Sequence, residues 1–285
     1  MAAYWGILVL RALACVLPGA LVRESGRLAG EGAYFILGRH RRIALKNLKI
    51  AFPKQGPRRL HRLARKSFGN LGVSLVESLR LRVFLKGRWR DRFDVAGADI
   101  LRESLAEGKG AILVLAHLDA WEYLALGARL LGVRTAAIGQ DIKNPALDGM
   151  VKDTREALGL ELFPKYEVAQ AIIDYLASGG AVAILADQRA RTMSVSVPFF
   201  GKKTATTAAP AVLALRSGAP LIPVFIESGK GRFLVRIREA VETEAGGGFK
   251  EAVLAVTSRI NGILEEEIRS RPEHWLWAHR RWREA

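Results

Sequence analysis

The sequence predicts an α/β fold: a largely parallel central sheet flanked by helices, preceded by an N-terminal membrane-associated helical region. Three observations carry this. From about Phe93 onward, short continuous apolar runs alternate with segments of helical spacing, the pattern of parallel strands joined by helical crossovers. Residues 2–22 are apolar except for Arg11. The basic charge is concentrated in the first third of the chain. These shifts divide the sequence into an anchor over 1–22, a basic helical region over 23–92 and an α/β domain over 93–285.

Residues 2–22 are about long enough to span a hydrocarbon core as a helix. A cleaved signal is disfavoured because the charged leader is missing and Arg11 interrupts the apolar stretch. Pro18 and Gly19 weaken a straight spanning helix, so the segment is expected either to span or to lie in the interface. Residues 1–100 hold 20 Lys and Arg against 6 Asp and Glu, and the remainder 24 against 22, within a formal net charge of +16. A basic first third implies an acidic partner, and basic residues beside an apolar segment favour a cytoplasmic side and anionic headgroups. Aromatic residues are not interleaved with a basic stripe in a nucleic-acid-binding pattern, so no nucleic-acid partner is expected. The single cysteine, Cys15, excludes an intrachain disulfide framework and a cysteine-rich metal site.

Between Arg58 and Arg82, Leu60, Leu63, Ala64, Leu71, Leu75 and Leu79 recur at helical spacing, after the breaks Phe52-Pro53 and Gly56-Pro57. Ala111–Ala116 reads as a strand covered on both faces. Helical spacing follows over 121–131, then a strand over 133–138. Asn144-Pro145 starts a helix, with Asn as cap and Pro at the first helical position. That helix ends at Gly159. A helix over 168–178 ends at Gly179-Gly180, and strands follow at 181–186 and 221–225. Residues 233–237 alternate as an edge strand does. A long helix runs from Phe249 to Arg269 after a loop over 245–248.

The stretch from Ala116 to Glu122 lies where a buried strand gives way to a helix, the place where α/β folds carry their sites. His117 suits proton removal from an attacking hydroxyl, and a carboxylate on its other ring nitrogen fixes the tautomer. On a regular helix, residues five apart lie about 140° apart. His117 and Glu122 therefore face each other only if His117 is in the exit loop and Glu122 in the first turn. Asp119 is the rival carboxylate. Asp187 ends a buried strand, with Gln188 and Arg189 beside it, and suits a polar site wall. Ser194 and Ser196 lack a nucleophile-elbow setting, so no covalent acyl-enzyme is expected. His40, His61, His274 and His279 show no metal-ligand spacing.

The His117-x4-Glu122 segment resembles the motif of the His-x4-Asp/Glu glycerolipid acyltransferase-like superfamily. Its Trp121-Glu122 is similar to the late (secondary) lipid A acyltransferases. Further blocks of that resemblance follow in order: Asn47-Leu48 with Ala51-Phe52-Pro53; Arg155 and Gly159; Asp187-Gln188 with Val197-Pro198-Phe199-Phe200-Gly201; and Pro272–Trp277 with His279-Arg280-Arg281-Trp282. The chain departs from the family's Phe-Gly-Asn at Leu118-Asp119-Ala120. The resemblance implies a lauroyl- or myristoyl-type O-acyltransferase of lipopolysaccharide biosynthesis, working at the cytoplasmic side of a bacterial inner membrane. It implies an acyl-acyl carrier protein or acyl-CoA donor, no cofactor and no metal. The acceptor is a lipid A precursor hydroxyl, with another glycolipid or a lysophospholipid as the rival acceptor. It also implies His117 as general base, Glu122 as its partner, and Arg155 as a phosphate contact or site support, with Asp187, Gln188 and Arg189 binding substrate. The C-terminal tryptophans and cations fit either an interfacial belt or a packed terminus.

Overall fold

Pro18 lacks the N–H that a continuous helix needs, and it splits the apolar N-terminus in two. In the computed structural model, which describes residues 2–138, 144–164 and 168–282, α1 is Ala2–Val16 and α2 is Gly19–Ile36. The expected single segment over 2–22 is thus corrected to two helices meeting at Leu17-Pro18. Among the described residues no helix is long and apolar enough to cross a membrane. Helix α3 (Gly38–Ala51) follows, and α4 (Pro57–Phe84) opens with Pro57 at its first position.

Helices α2 and α4 pack backbone against backbone. A Cβ on Gly30 would lie 2.1 Å from the Phe68 carbonyl oxygen, and one on Gly72 would lie 2.1 Å from that of Gly26. Only glycine permits this approach. It also changes what α4 buries. The expected stripe holds at Leu60 and Ala64, whereas Leu75 is exposed and the polar Ser74 and Glu77 are buried. Burial raises the pKa of Glu77, against the charge and hydrogen bond of Arg23 on α2 at 3.4 Å.

Beyond α4 the chain alternates as expected: β1 (Phe93–Ala96), α5 (Ala98–Ala106), β2 (Ala111–Leu115), a 3₁₀ turn at Trp121–Tyr123, α6 (Leu124–Leu130), β3 (Thr135–Ile138), α7 (Pro145–Ala157), β4 (Leu160–Phe163), α8 (Ala169–Ala177) and β5 (Ala181–Leu185). Asn144 caps α7 through its side-chain oxygen, which accepts from the N–H groups of Ala146 and Leu147. A hairpin that the sequence pattern did not reveal comes next, β6 (Ser194–Phe199) with β7 (Lys202–Thr207). Then come α9 (Ala209–Ser217), β8 (Leu221–Gly229), β9 (Arg232–Ile237) and α10 (Phe249–Ser270).

The main sheet has the order β1-β9-β8-β2-β5-β3-β4. Its described pairings are parallel except for β8 with β9. β9 was expected at an edge; it lies inside, because the short β1 pairs along its outer side. Ile112 and Val114 of β2 face one apolar cluster, while Ala111, Leu113 and Leu115 face another. Each of the valine, leucine and isoleucine side chains contributes roughly 1.5–3 kcal/mol on burial. The first cluster also contains Tyr34, Leu48 and Leu60, so the basic helical region and the sheet share one core.

The C-terminal segment completes that core. Trp275, Trp277 and Trp282 are buried, which settles their place as a packed terminus rather than an interfacial belt. Asn47 donates from Nδ2 to the carbonyls of Trp277 (2.8 Å) and His279 (2.7 Å), joining α3 to the chain end. Arg281 is fully buried. It donates to Ala205 O and Thr206 Oγ1 and lies over the Phe199 ring, and burial depresses its pKa to about 10.

Substitution at Gly30 and Gly32 separates packing from propensity. Gly30→Val should lower stability by about 3 kcal/mol or more, because overpacking here displaces backbone. Gly32→Ala meets nothing within 4 Å and should raise stability by up to about 1 kcal/mol. Thermal melts of the two variants read the difference.

Candidate active site

β2 and β5 run in parallel, with Ala111 opposite Ala181 and Leu115 opposite Leu185. Each strand is followed by a buried alanine, Ala116 or Ala186, and then by a polar residue, His117 or Asp187. Pairing without offset therefore sets His117 beside Asp187 at the carboxyl ends of two central strands.

Asp187 is 0% exposed and receives three N–H groups. The His117 backbone donates to Oδ2 at 3.0 Å, the His117 ring donates from Nδ1 to Oδ1 at 2.8 Å, and Trp275 Nε1 donates to Oδ2 at 2.8 Å. An ionised carboxylate only accepts, so Nδ1 carries the ring proton and Nε2 keeps its lone pair. Nε2 makes no hydrogen bond among the described residues. Burial works to raise the pKa of Asp187, but the charge and hydrogen bonds of His117, with that of Trp275, hold it below the usual carboxylate value. For His117, burial acts downward and is outweighed by the charge and hydrogen bond of Asp187 and the charge of Glu122, leaving the imidazole above 6.5. The Trp121 ring lies 5.3 Å from the His117 ring, centroid to centroid.

Glu122 was expected on the ring nitrogen of His117, and there the structure differs. Asp187 already occupies Nδ1. Glu122, in the 3₁₀ turn, meets Arg155 of α7 instead. Arg155 donates from Nη2 to Oε1 at 2.8 Å and from Nε to Oε2 at 3.3 Å. Both side chains are partly exposed. The rival Asp119 points the other way, toward Ser228 and Arg271. His117, Glu122, Arg155 and Asp187 thus form one electrostatic group. Gln188 and Arg189 follow Asp187 and are half-buried. Gln188 accepts from Arg281 through its carbonyl, and Arg189 bridges to Thr206. No hydrogen bond or ion pair links either side chain to the other four among the described residues. No group of His, Cys, Asp and Glu there could hold a metal ion.

The sequence reading missed the His117–Asp187 pairing and the role of Trp275. A signal existed in the two matching runs, five apolar residues, then alanine, then the polar residue. The zero offset between them is a tertiary fact.

A sequence profile described as Bacterial lipid A biosynthesis acyltransferase matches residues 1–284. The chain belongs to that family. Among its relatives is a lipid A biosynthesis palmitoleoyltransferase of Escherichia coli, 28% identical over 276 residues, which covers 94% of this chain and 86% of the relative. A lipid A biosynthesis lauroyltransferase of the same organism is 27% identical over 279 residues, covering 94% and 87%. A phosphatidylinositol mannoside acyltransferase of Mycolicibacterium smegmatis is 24% identical over 278 residues, covering 92% and 88%. As an O-acyltransferase of lipid A biosynthesis, the enzyme must remove a hydroxyl proton and stabilise the charge that follows. An imidazole paired with an ionised carboxylate on Nδ1 is a chemical group suited to both tasks.

A neutral His117 acting as base predicts an acyltransferase rate that rises with pH through an inflection above 6.5 and then levels off. Asp187→Asn removes the charge that raises His117, so the inflection should move down and the rate should fall about 10²–10⁴-fold. Glu122→Ala should cost less than Asp187→Asn, because it leaves the ring hydrogen bond intact. Rate–pH profiles of the three proteins check the order.

Proposed function

We propose that this acyltransferase moves a fatty acyl chain from an acyl-carrier thioester to a hydroxyl of a lipid A precursor, with His117 as general base and Asp187 as the group that orients it. The observation that supports this most is the His117 ring itself, held at Nδ1 and, among the described residues, without a partner at Nε2. The acceptor oxygen attacks the thioester carbon while its proton passes to Nε2. The tetrahedral adduct then collapses, the C–S bond breaks, and the imidazolium returns the proton to the departing thiolate. Glu122 adds negative charge beside the imidazolium. Arg155 braces Glu122 and offers a cation to a substrate phosphate; Arg189 offers a second cation from the rim and Gln188 an amide.

The donor is the thioester of acyl carrier protein rather than of CoA. Residues 38–66 hold eleven Lys and Arg and no Asp or Glu, and an acidic carrier is attracted to such a surface. The same charge draws the protein to anionic lipid at the cytoplasmic face of a bacterial inner membrane. Leu13, Val16, Leu21 and Leu28 of α1–α2 and Phe35 and Ile36 beside α3 are exposed, an apolar face flanked by cations that suits interfacial docking. A second reading keeps the chemistry and changes the acceptor to a phosphatidylinositol mannoside. It is supported by the mycobacterial-type relative, which matches over nearly the same length.

His117→Ala should lower acyl transfer by at least a hundredfold with the fold retained. An acceptor panel of lipid A precursor, phosphatidylinositol mannoside and lysophospholipid, each with the same carrier thioester, should show transfer to the first. Val16→Glu with Ile36→Glu should reduce sedimentation with phosphatidylglycerol vesicles while leaving the melting temperature in place.

A further inference from the structure

Asp119 sits two residues beyond the catalytic imidazole in a conformation that L residues rarely adopt, with φ at 57°. Such a backbone favours glycine, and an aspartate there needs a compensating return. Its carboxylate is 5% exposed. Oδ2 accepts the Ser228 backbone N–H at 2.9 Å and Arg271 Nη1 at 3.3 Å, and Oδ1 accepts the Ser228 hydroxyl. His274 Nδ1 is 3.3 Å from Oδ2. The backbone of Asp119 is held as well. Its N–H donates to His274 O at 3.0 Å, and its carbonyl accepts the Ser74 hydroxyl of α4 at 2.9 Å. One residue thus gathers the end of β8, the segment after α10, and α4.

These contacts close a circuit through the catalytic pair. Arg271 and His274 lead directly into Trp275. Leu118 bridges to Trp275, and Trp275 donates to Asp187, which holds His117. We propose that Asp119 is a positioning residue for acyl transfer: its buried carboxylate locks the loop after His117 to the Arg271–Trp275 segment and so keeps Trp275, Asp187 and His117 in register. It acts through these groups and touches no reacting atom. Glycine at this position satisfies the backbone and supplies no lock; asparagine keeps the shape but offers one acceptor oxygen where the carboxylate offers two, and no charge toward Arg271 and His274.

The inference rests on the His117 base reading, so the test includes a readout independent of any acceptor. NMR titration of the His117 imidazole, assigned with the His117→Ala protein, is run on wild type, Asp119→Gly and Asp119→Asn. The second readout is kcat and KM for transfer from a lauroyl thioester of acyl carrier protein to a lipid A precursor, alongside melting temperatures. In Asp119→Gly the His117 titration should move down toward 6.5, because a loosened ring loses part of its contact with Asp187. In the same variant kcat should fall about tenfold to a hundredfold, as misplacement of about 1 Å can cost, with KM within about threefold. Asp119→Asn should fall between wild type and Asp119→Gly in both readouts. An unchanged His117 titration in folded Asp119→Gly overturns the proposal, whatever the acceptor proves to be. So does a loss of activity that follows only the unfolded fraction in both variants. If Asp119→Gly does not fold, Arg271→Gln carries the same test, because it removes the cation that Asp119 holds, and a wild-type titration in it overturns the proposal.

Discussion

A fully buried carboxylate just past β5 is the constraint on which the candidate active site is built. An isolated ionised group in an apolar interior costs far more than a domain's net stability can absorb, unless it is paired and hydrogen-bonded. Asp187 meets that requirement with three donors from two distant stretches of chain, the loop after β2 and the segment after α10. The same contacts that make the charge tolerable fix the imidazole's tautomer and direction. One set of contacts thus serves both the buried charge and the aim of the ring.

The outlying sequence blocks make sense around this point. Asn47 holds the carbonyls of Trp277 and His279, and Phe52 lies against Phe200 and Trp277. The β6–β7 hairpin is pinned by Arg281 and by Trp282, which donates to Phe199 O. Segments 230 residues apart therefore assemble one wall behind Trp275. Burial drives His279 down to about 4, so the histidine of that terminal block is neutral at ordinary pH and contributes shape rather than charge.

Much of the architecture was legible in the chain, for definite reasons. The strands at 111–116 and 181–186 were readable because a strand covered on both faces must be continuously apolar. The start of α7 was readable because Asn144-Pro145 is a cap followed by a residue with no N–H to satisfy. β1 and β4 escaped notice because four-residue strands leave too little pattern, and once β1 is missed β9 looks like an edge. The second half of α4 misled because its partner is glycine backbone, which rewards closeness rather than hydrophobicity. At the site, the placement of His117 just past a buried strand was legible from the apolar run before it. Its partner was not, since five residues of separation made Glu122 the obvious choice, while the true neighbour lies seventy residues on and is selected by strand register. The Asp119 cluster was hidden for the same reason.

Helix α4 is 28 residues long, a rod of roughly 40 Å at the rise of an α-helix. One end carries the basic corner of the protein, and its middle is fused to α2 through glycines that leave no slack. Near its far end Ser74 holds the Asp119 carbonyl, and the Glu77 carbonyl accepts from Tyr123 in the turn that bears Glu122. The residues of α4 that meet the α2 backbone, Phe68 to Gly72, are thus followed within two turns by those that hold the Asp119 carbonyl and the Tyr123 hydroxyl, so α2 and the His117 loop share one support.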